Sequence, residues 1–115
     1  MNTEQMDLAR RLVQMPGWAP MPGMLMAQWA PGQPEHGKPT IRYEVAGLDD
    51  FDDEIPDLTD PATAGCLLDM LDGWAAWKRE GGYQAISNTG GWWHGGETLG
   101  EAAARALLAA REDTP

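Results

Sequence analysis

Paired turn-forming residues cut this chain into short pieces, and that limits what it can build. Met15-Pro16-Gly17-Trp18 is followed by Met21-Pro22-Gly23-Met24, a miniature repeat whose two Pro-Gly turns predict a compact elbow. Gly81-Gly82, Gly90-Gly91 and Gly95-Gly96 punctuate the second half in the same way. With 14 Gly and 9 Pro among 115 residues, loops and tight turns take a real share of the chain. That length suits one domain with a modest core.

Between the breaks, periodicity assigns the elements. Asn2, with Gln5 three residues on, predicts a capped first helix that buries Leu8, Leu12 and Met15 and ends at Pro16-Gly17. Met24 to Trp29 reads as a strand. Thr40 to Val45 alternates strictly, with Ile41, Tyr43 and Val45 on one face, and predicts a half-buried strand antiparallel to it. Gly47 to Asp60 is acidic and reads as an exposed connection pinned by Phe51, Ile55 and Leu58.

Asp60-Pro61 is a strong helix start, because Asp is a preferred N-cap and Pro fits the first helical position. The spacing of Cys66, Leu67, Met70, Leu71, Trp74 and Trp77 predicts a helix to about Arg79, with Gly73 as a point of weakness and Gly81-Gly82 as its stop. Tyr83 to Ser87 and Trp92 to His94 predict a hairpin. Thr98-Leu99-Gly100-Glu101 is a capping box opening an Ala-rich last helix, with Leu99, Ala103, Ala106, Leu107 and Ala110 inward. The expected fold is α+β, a single domain over 1–115 in the order α-β-β-α-β-β-α, with helices packed on an antiparallel sheet.

A net charge of −10 argues against direct contact with nucleic acid, which requires Lys and Arg to neutralise phosphates. It also argues against anionic membrane surfaces. No apolar run approaches the roughly 18 residues of a membrane span, and Met1 to Gln14 lacks the apolar core of a secretory signal. The single Cys66 forms no internal disulfide. The expectation is a soluble cytoplasmic protein.

Six Trp beside one Phe is the unusual part of the composition, since Trp combines a large apolar ring with an N–H donor. Gly90-Gly91-Trp92-Trp93-His94-Gly95-Gly96 concentrates it. A turn at 88–91 pairs Ser87 with Trp92, Ile86 with Trp93 and Ala85 with His94. Alternation puts Trp92, His94 and Tyr83 on one face and Trp93 with Ile86 on the other. If helices cover one side only, Ile86–Trp93 reads as the core pair, and Trp92, His94 and Tyr83 form a surface for stacking a planar base. If helices cover both sides, both tryptophans are core.

No catalytic signature is present: there is no nucleophile elbow, no P-loop and no dinucleotide fingerprint. The expectation is that the chain is not an enzyme. His36, His94 and Cys66 have no metal-ligand spacing, and the acidic run lacks the glycine and closing glutamate of a calcium loop. Neither a metal nor another cofactor is expected. A solvated loop explains the acidic run, and its functional alternative is a DNA-mimic or basic-protein-binding surface.

Leu8-Ala9-Arg10-Arg11-Leu12-Val13, the Pro16-Gly17-Trp18 and Met21-Pro22-Gly23-Met24 turns, Pro56 to Thr63 and Gly65-Cys66-Leu67-Leu68 together resemble a family of small bacteriophage and prophage accessory proteins. The second half, ending in its Ala-rich helix, also resembles the phage ABA sandwich domain. The resemblance rests on turns, caps and core positions and carries over no catalytic residues. It implies a phage gene acting in the bacterial host cytoplasm, where such genes often encode inhibitors of host defence.

Two functions follow as expectations. In the first, the protein sequesters a nucleotide-like signal through Trp92, His94, Tyr83 and Trp18, with Arg42 meeting phosphate, without any cofactor and as a monomer or homodimer. In the second, Asp49, Asp50, Asp52, Asp53 and Glu54 dock on a basic host defence protein.

Overall fold

The computed structural model describes residues 3–19, 21, 23–28, 39–42, 54–88 and 93–112. Its elements are α1 (Thr3–Val13), β1 (Leu25–Gln28), β2 (Pro39–Arg42), β3 (Glu54–Pro56), α2 (Pro61–Asp69), β4 (Trp74–Arg79), β5 (Gly82–Ser87), β6 (His94–Gly96) and α3 (Leu99–Glu112). The α+β class with three helices is as expected. The strands form two three-stranded antiparallel sheets, ordered β2-β1-β3 and β4-β5-β6, so two strands appear that periodicity did not assign.

The first addition is β3. It lies in the stretch read as an exposed acidic connection, and it pairs with β1 through Met26↔Pro56, Ala27↔Ile55 and Gln28↔Glu54. Glu54 is therefore a strand residue. Ile55, Pro56, Asp57 and Leu58 are buried. Two of the acids in this stretch serve the backbone. Asp57 Oδ1 accepts from the Thr59 N–H at 2.9 Å and from its hydroxyl at 2.6 Å, which closes a turn. Asp60 caps α2: its Oδ2 accepts from the Thr63 N–H at 3.0 Å and the Thr63 hydroxyl at 2.9 Å. The Thr63 hydroxyl oxygen in turn accepts from the Leu25 N–H at 2.8 Å and ties α2 to β1. Asp49, Asp50, Asp52 and Asp53 lie outside the described residues.

The second addition corrects the long helix. α2 ends at Asp69, and Trp74–Arg79 is β4. Gly73 takes φ +63°, a conformation that favours glycine, and the Asn88 side chain occupies the space where a Cβ would stand. A two-residue turn at Glu80-Gly81, with Gly81 at φ +82°, then folds β4 onto β5 from Arg79↔Gly82 to Trp74↔Ser87.

The core lies where α3 meets its neighbours. α3 packs on α1, α2, β5 and β6. Ala102, Ala103, Ala104, Ala106, Leu107, Leu108 and Ala110 are all buried. Small side chains allow this close approach on several sides at once. At Gly100 a Cβ would run into the Leu58 carbonyl, and at Gly96 into Glu101. The start of α3 is fixed by the capping residues: the Glu101 N–H donates to Thr98 Oγ1 at 3.1 Å, and the Thr98 hydroxyl donates to the Leu58 carbonyl at 2.7 Å. The Glu101 carboxylate turns back as a capping box requires, but it takes the N–H of Glu97 at 3.2 Å, one residue before the cap. Among the described residues no helix is long and apolar enough to cross a membrane.

Candidate functional site

The hairpin register is as the sequence predicts, and its faces are reversed. Ala85 pairs with His94, Gln84 with Gly95 and Tyr83 with Gly96. Ala85 is fully buried and Tyr83 packs against the core, so this face, which also carries His94, is the one α3 covers. Trp93, expected in the core with Ile86, is instead 45% exposed. The physical reason is the size of the side chains. An Ala-rich helix lies closest to a sheet face built of small residues, and Ala85, Ser87 and Gly96 supply one, whereas Ile86 and Trp93 do not.

Only one side of the β4-β5-β6 sheet thus carries α3. On the other side Trp77 and Trp93 lean together across β5, with ring centroids 5.7 Å apart and an interplanar angle of 27°. Trp77 is 61% exposed. Their rings touch each other, whereas a flat guest between them would need about 7 Å, two van der Waals separations of about 3.5 Å. A guest therefore lies on an outer indole face. Gln84 is the cross-strand partner of Trp77, and Arg79 follows Trp77 by two residues on the same face.

Arg79 and Gln84 also line an adjoining groove of about 410 Å³ at the turn end of the sheet. Its other charged groups are Glu4, Glu80, Glu97, Glu101 and Arg105. Arg105 bonds to Glu4 at 2.8 Å and to Glu101 at 2.9 Å, and it donates to the Gly95 carbonyl at 2.5 Å. Gln5 reaches the same Glu101 carboxylate at 3.4 Å, so this carboxylate links α1, α3 and the end of β6. Arg79 and Arg105 face four carboxylates, and the groove is negative on balance.

The residues expected to form one site are dispersed. Tyr83 lines this groove and a second cleft of about 200 Å³ beside the starts of α2 and α3. His94 lies on the covered face, and its Nε2 is buried without a hydrogen-bond partner among the described residues. Trp18 is half-buried against the core in the turn after α1. Arg42 belongs to the other sheet, opposite Leu25. Trp92 lies outside the described residues. Sequence reasoning missed Trp77, Arg79 and Gln84 as neighbours because it placed the first two on a helix. The available signal was two six-residue runs, Trp74–Arg79 and Gly82–Ser87, separated by a two-residue turn ending in Gly81.

Among the described residues no group of three or more His, Cys, Asp and Glu is placed to hold a metal ion. No family model, curated protein or solved structure matches the chain.

Proposed function

We propose that the chain is a non-enzymatic binding protein that captures a flat, nucleotide-like molecule on the open face of the β4-β5-β6 sheet. In the setting the phage resemblance implies, it acts in the bacterial host cytoplasm by sequestering a host-defence signal. One observation carries the reading: two stacked tryptophans are exposed on a sheet face that has no helix over it among the described residues. Large exposed aromatics grouped on one face mark binding surfaces in soluble proteins, and base–aromatic stacking contributes about 1–3 kcal/mol per base.

In this arrangement the base lies on the outer face of Trp77, Gln84 offers an amide to its edge, and Arg79 meets a phosphate. The carboxylates in the adjoining groove disfavour a polyphosphate, so a ligand with one or two phosphate groups fits better than a triphosphate. Tryptophan fluorescence on addition of a nucleoside, a nucleoside monophosphate and a cyclic dinucleotide tests this. Saturable quenching is expected, and Trp77→Ala or Arg79→Ala should weaken it about tenfold, a loss of about 1.4 kcal/mol. Equal quenching in wild type and Trp77→Ala would remove the site.

The net charge of −10 favours a second reading, docking on a basic host protein. With Asp57 and Asp60 committed to a turn and a cap, Asp49, Asp50, Asp52, Asp53 and Glu54 would carry it. That reading predicts salt-sensitive binding lost on replacing those four aspartates with asparagine.

A further inference from the structure

We propose that β4 pairs edge to edge with β4 of a second copy of this chain, forming a two-fold dimer with a continuous six-stranded sheet. The pairing covers the outer Trp77 face that the proposed ligand would use, so dimer and ligand compete for it, and the dimer is tested with no ligand present.

It starts from how little holds β4. The strand is terminal in the order β4-β5-β6, so its outer edge has no strand beside it among the described residues. α3 packs mainly on β5 and β6, and of the β4 residues only Ala76 is half-buried and packs against the core. Five of the six β4 residues are exposed, including Trp74 at 48% and Trp77 at 61%. Proteins usually guard such an edge with proline, bulges, short length or charge. β4 has no proline, its pairing with β5 is regular, and it is one of the two longest strands described. Its charges, Lys78 and Arg79, are confined to one end. The β6 edge, by contrast, is three residues long and includes two glycines.

The occupant follows from the sequence of the edge itself. A two-fold axis normal to the sheet keeps equivalent faces together. With the axis at Trp77, Trp77 meets its own copy on the open face, Ala76 faces Lys78, Ala75 faces Arg79, and Trp74 faces Glu80 of the second copy. No like charges stand opposite each other, and each cation meets a small residue. An aromatic pair sits at the axis. The indoles then run Trp93, Trp77, Trp77, Trp93 across the shared face, which buries the most exposed large apolar side chain among the described residues. A 6-residue strand edge is a short contact beside the roughly 800 Å² per partner of a stable interface, so the dimer is expected to form and dissociate with concentration.

Sedimentation equilibrium of the full chain without nucleotide tests this, with Trp77→Glu and Trp77→Lys as variants. Trp77 is exposed, so both variants keep the fold. Wild type should rise from 12.5 kDa towards twice that mass as concentration approaches about 1 mM. Each variant alone should associate at least about tenfold more weakly, because like charges then meet at the axis. An equimolar mixture of the two should recover the association. Hydrogen exchange should slow in the β4 amides as the dimer fills. A wild type that stays monomeric overturns the proposal. So do a mixture that does not associate, and a dimer whose β4 amides exchange at the monomer rate, which would mark face-to-face contact instead.

Discussion

α3 and β4 divide the apolar residues in a way that runs against side-chain size. α3 buries seven residues between Ala102 and Ala110, five of them alanine. β4 carries two tryptophans and leaves both about half exposed or more. Burial therefore follows position rather than hydrophobicity. Small residues let α3 approach α1, α2 and a sheet at once, whereas among the described residues β4 has only β5 as a strand neighbour. A large apolar side chain at a place with no neighbour to cover it is free to serve binding, and one at the centre of three neighbours serves stability.

Substitutions that exchange the two roles sharpen this contrast. The largest effect is expected at the centre of α3. Leu107→Ala removes a side chain that is 1% exposed, and it should lower unfolding free energy by about 2–5 kcal/mol in urea titration. Gly100→Ala comes next. The added methyl meets the Leu58 backbone, which cannot move aside as a flexible side chain would. A loss of about 1–3 kcal/mol is expected from overpacking. The smallest effect belongs to Trp77→Ala, which should shift stability by no more than about 0.5 kcal/mol while weakening nucleotide quenching. A loss as large as that of Gly100→Ala would mean that the indole pair is packing, and the distinction between the two regions would collapse.

Much of the local structure was legible in the chain. Asp60-Pro61 starts α2, Thr98 and Glu101 start α3, and Ala85 meets His94 as the turn geometry required. These are short-range features, set by capping chemistry and by the period of a strand. Two things were not legible. The spacing of Leu67, Leu71, Trp74 and Trp77 satisfies a helix, although only Leu67 and Leu71 are buried. Gly73 breaks the run, and a break and a tolerated glycine look alike until tertiary contacts decide. The faces of the hairpin were also open, because alternation groups Tyr83, Ala85 and His94 together without saying which side the helix takes. The small Ala85 opposite an Ala-rich helix was the relevant clue. The candidate site suffered from both: Trp77 and Arg79 were assigned to a helix, and Trp93 to the core.

The Glu101 carboxylate has a consequence for how the protein comes into being. Gln5 and Glu4 meet the start of α3, and Arg11 and Gln14 line a cleft with Leu108 and Arg111 near its end, so α1 and α3 run side by side in the same direction. Yet Gln5 and Glu101 are 96 positions apart. On the ribosome, α1 emerges long before α3, which packs on it and contributes to the core that holds Leu8 and Leu12. Until α3 is made, α1 has only part of its final surroundings. Native closure waits for α3, so the fold cannot complete until that helix has been made. Contacts of such long range also slow folding.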